Sequence, residues 1–188
     1  MRIVGGIHKG RPIKTPSGRN TRPTSDRTRE AIFNILAHAD WAPALEGARV
    51  MDVFAGSGAL GFEALSRGAA ACLFIETDHG ARGAIRANIE AMGLFGNTRL
   101  HRRSALDLGP KPAGVGSPYT HAFLDPPYGR SMVPQALDGL AGGGWLAADA
   151  IAIAETGNDE DLAADGWSIL DTRTYGAAKI WFLTRAPD

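Results

Sequence analysis

Residues 50–61 read VMDVFAGSGALG, an apolar strand pattern that runs directly into a glycine-rich loop. The glycines at 56, 58 and 61 have the spacing G-x-G-x-x-G, in which glycine permits a tight turn and lets the backbone approach a ligand closely. A helix that begins near Ala59 points its free N–H groups at that ligand. This stretch, the glycine loop, therefore predicts a site for a nucleoside-type cofactor at the carboxyl end of a strand.

Strand and helix patterns alternate along the rest of the chain. Such alternation is typical of a parallel sheet with right-handed crossovers and helices on both faces. The last two strand patterns are joined through Tyr175-Gly176 and predict an antiparallel hairpin. We therefore expect an α/β fold with a seven-stranded, mostly parallel sheet. The predicted strands are 49–54, 71–76, 98–102, 121–125, 150–155, 167–170 and 180–183, and the predicted helices are about 59–67, 79–92 and 132–140.

A second loop, Asp125-Pro126-Pro127-Tyr128, follows the buried-strand pattern Ala122-Phe123-Leu124, and we call it the tetrad. Because proline has no N–H, this loop is rigid and rich in acceptors. The Asp125 carboxylate and the Pro126 carbonyl can each accept one hydrogen of an amino group, which turns the nitrogen lone pair toward a methyl donor. Tyr128 offers a face on which a base can stack. Together, the two loops predict methyl transfer to nitrogen.

Two acidic residues bear on the nature of the cofactor. Glu76 ends the second predicted strand, where a carboxylate can accept hydrogen bonds from ribose hydroxyls in dehydrogenases and methyltransferases alike, or be a solvated loop acid. Asp52 lies inside the first strand, where a carboxylate is costly without a partner. A cofactor with sulfonium and ammonium groups supplies that partner, whereas a pyrophosphate is repelled. Alternatively, Asp52 caps neighbouring backbone N–H groups.

The zero net charge hides a basic amino-terminal segment. Residues 1–30 hold eight lysines and arginines against two acids, and the remainder holds twelve against eighteen. A basic arm on an acidic body is a common arrangement for binding a polyanion, although a solubilising tail has the same composition. Apolar residues at strand-like spacing predict a hairpin over 2–14. A loop over 15–24 follows, and then a helix that begins near Ser25 or Asp26 and ends by Pro43.

The cysteine content and the distribution of apolar residues indicate the cellular compartment that the sequence is suited to. The single cysteine, Cys72, cannot form an intrachain disulfide and is predicted to be a small core residue, which suits a reducing cytoplasm. No apolar run has the length of a membrane span, and the first residues do not resemble a signal peptide. No Cys/His cluster predicts a metal site.

With these motifs in place, the chain resembles the class I methyltransferases that depend on S-adenosylmethionine. More narrowly, it resembles the bacterial 16S ribosomal RNA guanine-N2 methyltransferase family that modifies the small subunit. The amino-terminal run narrows the choice, because the other motifs are shared by many amino-methyltransferases. The resemblance is carried by residues 2–6 (RIVGG), 9–11 (KGR), 22–24 (RPT), 26–27, 29–30 and 33–34, then by 52–61 (DVFAGSGALG), 63–68 (EALSRG), 76–78 (ETD), 125–128 (DPPY) and 144–146 (GWL).

The resemblance implies a Rossmann-like methyltransferase domain over 44–188, and a basic extension over 1–43 that covers the site and meets ribosomal RNA, naked or in an assembling particle. It implies that Asp125, Pro126, Pro127 and Tyr128 hold the target amino group. It implies cofactor contacts from Asp52, Phe54, Ala55, Gly56, Ser57, Gly58, Glu76, Thr77, Ser104 and Ala105. Ser104 replaces the acid or amide that many members have before this alanine. The implied RNA contacts are Arg2, Lys9, Arg11, Arg22, Thr24, Arg27 and Arg29.

Other activities remain open at this point. Another amino-methyltransferase, acting on adenine N6 in DNA or RNA or on glutamine N5 in protein, has the same two loops. The glycine spacing also suits an NAD-dependent oxidoreductase, although no obvious His or Lys for hydride chemistry accompanies it. A non-catalytic RNA-binding assembly factor is a third possibility.

Overall fold

The structure, a computed structural model, describes residues 1–17 and 24–187. Within these residues one seven-stranded sheet has the order β3-β2-β1-β4-β5-β7-β6. Strand β7 runs in the direction opposite to the other six, so it pairs antiparallel with both β5 and β6. This confirms the predicted α/β fold. The strands are β1 (Arg49–Asp52), β2 (Ala71–Ile75), β3 (Thr98–His101), β4 (Tyr119–Leu124), β5 (Leu146–Gly157), β6 (Trp167–Tyr175) and β7 (Ala178–Arg185). The helices are α1 (Asp26–His38), α2 (Ala59–Ser66), α3 (His79–Met92) and α4 (Met132–Gly142), with a 3-10 turn at Ala113–Val115.

The longest strand, β5, begins four residues before the predicted start. Leu146 pairs with Tyr119 of β4, and the pairing register then shifts before His121 meets Ile151. Residues 147–149 (AAD) fall in this irregular stretch and carry no alternating apolar pattern. The sequence pattern therefore did not predict the first residues of β5, because pairing with β4 and not local β-propensity holds them in the sheet.

Two glycines of the glycine loop allow α2 to lie directly against the sheet. Gly58 has φ +80°, and a Cβ atom there would lie 2.6 Å from the Phe62 ring. Gly61 has no unusual φ, but its Cβ would lie 2.4 Å from Phe74 and 2.6 Å from the sulfur of Cys72. The first glycine is thus required for the turn and the second for close packing between helix and strand.

The predicted amino-terminal hairpin is a single antiparallel bridge, between Arg2 and Pro12. Ile3 N donates to Arg11 O at 2.9 Å and Ile13 N donates to Met1 O at 3.0 Å, so hydrogen bonds join its two arms. Ile7 N donates to Ser66 O at 2.8 Å, and Val4 N donates to the Glu63 carboxylate at 2.9 Å. The hairpin is therefore also attached to the carboxyl-terminal half of α2.

Hydrophobic clusters cover both faces of the sheet. One contains Ile3, Ile13, Phe33 and Leu36 of the extension together with residues of α2, α3 and the sheet. The other is formed by α4, the segment before β4 and the opposite face of the sheet. The extension and the larger predicted domain therefore share one core, which fixes the extension beside the carboxyl ends of β1 and β4. Helix α1 begins where Ser25 Oγ accepts a hydrogen bond from Thr28 N at 3.0 Å.

Candidate active site

The glycine loop and the tetrad open into one cavity of about 510 Å³ at the carboxyl ends of the parallel strands. β1 leads into the glycine loop, β4 leads into the tetrad, and these strands are neighbours in the sheet. Two reactants held by the two loops therefore face the same space, which methyl transfer between them requires. Of the predicted cofactor and catalytic residues, the lining includes Asp52, Phe54, Ala55, Gly56, Ser57, Glu76, Thr77, Ser104, Ala105, Asp125, Pro126, Pro127 and Tyr128, but not Gly58.

Other lining residues were not assigned to the cofactor from the sequence. Met1, Thr15 and Pro16 of the extension line the cavity, as do Arg103 in the loop after β3 and Met132 at the start of α4. These positions carry no motif, so only the folded chain identifies them. The extension thus forms part of the wall of the cavity.

Glu76 holds the shape of the glycine loop. Its carboxylate accepts hydrogen bonds from Gly56 N and Asp78 N, both at 2.8 Å. These contacts rule out the alternative interpretation of Glu76 as a solvated acid in a loop. The carboxylate is half-buried and lines the cavity, so it is positioned to meet ribose hydroxyls, and that role stays a prediction.

Asp52 is buried at the end of β1. Its Oδ2 accepts a hydrogen bond from Gly61 N at 3.0 Å, the backbone-capping contact that was one of the two alternatives. Burial raises the pKa of this carboxyl to about 7; the Gly61 bond opposes the rise, and the charge of Glu76 adds to it. Because Asp52 also lines the cavity, a cationic ligand there would favour its ionised form.

Ser104 lies at the cavity on the loop that follows β3. Its side chain is exposed, and its Oγ accepts a bond from Leu106 N at 3.2 Å. Ala105 beside it is buried. The Ser104 hydroxyl stands at the position where many members of the family that the chain resembles have a longer acidic or amide side chain. Its contact with the adenine of the cofactor stays a prediction.

The tetrad carboxylate, Asp125, is held by a residue from the extension. Thr24 Oγ1 donates a hydrogen bond to Asp125 Oδ2 at 2.9 Å. Burial raises the pKa of Asp125 well above its usual range and the Glu155 carboxylate raises it further, while the Thr24 bond opposes the rise. Thr24 is buried and lines the cavity, so its predicted RNA contact is restricted to a base that enters the cavity and stays a prediction.

Sequence reasoning missed a second carboxylate at the tetrad, Glu155 of β5. Thr24 Oγ1 lies 3.2 Å from Glu155 Oε2, and the Tyr128 hydroxyl donates a short hydrogen bond to Glu155 Oε1. Glu155 is buried and follows the apolar run 151–154 (IAIA). An acid within a buried strand pattern is the signal that identified Asp52, and applied to the predicted strand 150–155 it would have identified Glu155 as well.

Apart from Thr24, the predicted RNA-binding residues fall into three groups. Arg2, Lys9, Arg11 and Arg27 are exposed, and Arg22 lies outside the described residues. Arg29 is fully buried: its guanidinium lies 2.8 Å from Asp26 and 3.6 Å from Glu63. Arg29 is therefore part of the core of the extension, and the prediction of a direct RNA contact by it is wrong. The position of Arg29 on α1 directs its side chain toward Glu63 of α2. Its positive charge alone did not indicate this.

Within residues 1–17 and 24–187, no group of three or more His, Cys, Asp or Glu side chains is arranged to hold a metal ion. None of the helices there is long and apolar enough to cross a membrane.

The whole chain matches known proteins. The family model described as "Conserved hypothetical protein 95" matches residues 1–184. The chain belongs to this family. A relative from Escherichia coli (strain K12), "Ribosomal RNA small subunit methyltransferase D", is 36% identical over 94% of this chain and 85% of that protein. "Putative rRNA methyltransferase YlbH" from Bacillus subtilis (strain 168) is 34% identical over 94% of both.

Solved structures agree with this assignment. "Putative methyltransferase yhhF from Escherichia coli" superposes with a TM-score of 0.83 at 35% identity, over 98% of this chain and 97% of that one. A magnesium protoporphyrin IX methyltransferase from Synechocystis PCC 6803, solved with bound S-adenosylmethionine, shares the fold with a TM-score of 0.63 at 16% identity, over 85% and 79% of the two chains. This member of the family is a class I methyltransferase with S-adenosylmethionine as its cofactor, as the resemblance implied.

Proposed function

We propose that this family member transfers a methyl group to the exocyclic N2 amino group of a guanine in the 16S ribosomal RNA of the small subunit. The observation that carries the proposal is the cavity shared by the glycine loop and the tetrad, which the tetrad residue Asp125 lines. The curated relatives support ribosomal RNA as the substrate, because several are named as methyltransferases of it.

The residues of the glycine loop fit the cofactor. Asp52 is a buried carboxyl that bonds one backbone N–H and still lines the cavity, so a cationic group there would be its natural partner. Glu76 is placed for the ribose, and the backbone at Gly56 lies open to the cavity. When bound, S-adenosylmethionine supplies a methyl group on a positively charged sulfur.

The tetrad orients the amino group. The Asp125 carboxylate and the Pro126 carbonyl accept its two hydrogens, which aims the lone pair of the nitrogen across the cavity toward the glycine loop. Tyr128 provides the aromatic face for the base, which must leave its stack to enter. The oxygens of Asp125 are also placed to accept the proton that the nitrogen loses after methylation.

The basic extension supplies the contact with RNA. Its exposed cations, Arg2, Lys9, Arg11 and Arg27, belong to the segment whose Met1, Thr15 and Thr24 line the cavity. Phosphate contacts by such cations fix the position of the nucleic acid but carry no sequence information. Recognition of the particular guanine then depends on RNA structure or on ribosomal proteins in an assembling particle.

Mass spectrometry of nucleosides tests the proposal. Small-subunit RNA and small-subunit particles that lack the modification are incubated with the protein and labelled S-adenosylmethionine, then digested. We expect labelled N2-methylguanosine, and no label on DNA or protein in the same preparation. Label on adenosine, on DNA or on glutamine would contradict the substrate while leaving the methyltransferase assignment intact.

A further inference from the structure

Glu155 is a buried acid at the active site that the chemistry above does not use. It lies near the end of β5, with 8% of its surface exposed. Its strand pairs with β4, so it lies beside the point where β4 gives way to the tetrad. A carboxylate at such a position is retained only with hydrogen-bonding partners.

Both oxygens of Glu155 meet hydroxyl groups that line the catalytic cavity. Oε2 lies 3.2 Å from Thr24 Oγ1, and Oε1 accepts the hydrogen bond from the Tyr128 hydroxyl. Thr24 in turn bonds Asp125 at 2.9 Å. One carboxylate therefore connects the residue that holds the amino group to the residue on which the base stacks.

The proton count of this network shows that it is coupled. A threonine hydroxyl has a single hydrogen, but Thr24 Oγ1 contacts a carboxyl oxygen of Asp125 and one of Glu155. Both contacts are satisfied together only when one carboxyl group carries a proton. The raised pKa of Asp125 agrees with such a shared proton. A change at Glu155 therefore alters the hydrogen bond that Asp125 receives.

We propose that Glu155 is a positioning residue for methyl transfer, which acts through the hydroxyls of Thr24 and Tyr128 to fix the Asp125 carboxylate and the Tyr128 ring. The inference rests on the proposed amino-methyltransferase function. Glu160, a nearby acid in the loop after β5, has a different role, since its Oε1 accepts hydrogen bonds from Gly129 N and Gly157 N and so stabilises the loop.

Glu155→Leu is the first test, in the full chain with the RNA substrate. Leucine has a similar size but no polar atom, so it can neither accept a hydrogen bond from Tyr128 nor bond Thr24. We expect kcat to fall roughly ten- to a hundredfold with little change in KM for RNA or in cofactor affinity, as expected for a misplaced reacting group. Glu90→Leu, on the exposed face of α3, is the matched control and leaves all three values unchanged.

A multiple-variant cycle separates positioning from a general effect on the fold. If Glu155 acts through the two hydroxyls, Glu155→Leu has little further effect on kcat in the Thr24→Val, Tyr128→Phe background. An equal loss in that background would overturn the proposal. If Glu155→Leu does not fold, the Thr24 hydroxyl is tested instead: Thr24→Ser should restore the kcat that Thr24→Val loses, and equal values for the two would overturn the proposal.

The wild-type protein distinguishes this inference from the proposed function. If it methylates an amine other than guanine N2, the proposed substrate fails and the same variants are measured on the amine that is used. If it methylates guanine and Glu155→Leu retains full kcat, only the positioning role fails.

Discussion

The glycine loop and the tetrad both contain carboxylates at the ends of neighbouring buried strands, but they satisfy them differently. At the glycine loop, Asp52 and Glu76 accept hydrogen bonds from backbone N–H groups of residues 2 to 20 positions away in the chain. At the tetrad, Asp125 and Glu155 meet the side-chain hydroxyls of Thr24 and Tyr128. The backbone donors are positioned by the turn that contains them, whereas the hydroxyl donors are positioned by packing between segments that are distant in the sequence. The cofactor side is thus encoded locally, and the substrate side depends on the docked extension.

The strongest test of this contrast is Asp125→Ala. We expect kcat to fall roughly a hundred- to a thousandfold because a preorganised acceptor of the amino group is lost, while the affinity for S-adenosylmethionine is unchanged. Methyl transfer assays and calorimetry measure the two quantities. Asp125→Asn, which keeps one acceptor oxygen, is the control and should retain more activity. Parallel loss of cofactor binding in Asp125→Ala would show that the two sides are not separate.

On the cofactor side, the contrast predicts that the glycine loop depends on close packing. Gly61→Ala should lower the free energy of unfolding by about 2 kcal/mol, because the added Cβ overlaps Phe74 and Cys72. Urea denaturation measures this. Gly83→Ala in α3 is the matched control: nothing lies within 4 Å of its added Cβ, so alanine should stabilise by about 0.5–1 kcal/mol. If both substitutions stabilise, α2 does not need a glycine at this contact.

The affinity for the cofactor should depend on pH through Asp52. The pKa of this carboxyl is raised to about 7, so below pH 7 it is largely protonated and binding a cation requires loss of the proton. Affinity should therefore rise by up to about tenfold from pH 6 to pH 8 and level off above. Calorimetry at each pH provides the measurement, with Asp52→Asn as the comparison. A flat profile for the wild type would leave Asp52 with its structural bond to Gly61 alone.

The smallest expected effect concerns the extension that reaches the tetrad. Arg27 is exposed on α1, two residues from the buried Arg29. Arg27→Ala should flatten the dependence of log affinity on log salt by roughly 0.7 to 0.9, the loss of one phosphate contact. RNA binding at several salt concentrations measures the slope, and Glu30→Gln on the same helix is the control. An unchanged slope would remove Arg27 from the RNA interface.

The difference between exposed Arg27 and buried Arg29 also shows which features of the site could be predicted from the sequence and which could not. Most cavity-lining residues of both loops were expected from the sequence, because each loop directly follows a buried strand and the resemblance implied contacts there. The roles of Thr24 and Arg29 were not, because a basic, polar stretch reads as a solvated arm until its partners are known. Thr24 meets a carboxylate 101 positions away in the chain, and no local pattern reports such a contact.

The sequence by itself determined the alternation of strands and helices, the glycine loop and the tetrad, since these follow from hydrophobic period and local turn chemistry. Only the tertiary structure decided that the two loops open into one cavity, that Arg29 belongs to the core, and that Glu155 joins Asp125 through Thr24. The physical reason is that sheet order and the docking of the extension arise from packing between segments distant in sequence. Hydrogen-bonding partners for buried charges are then chosen among whichever side chains that packing brings together.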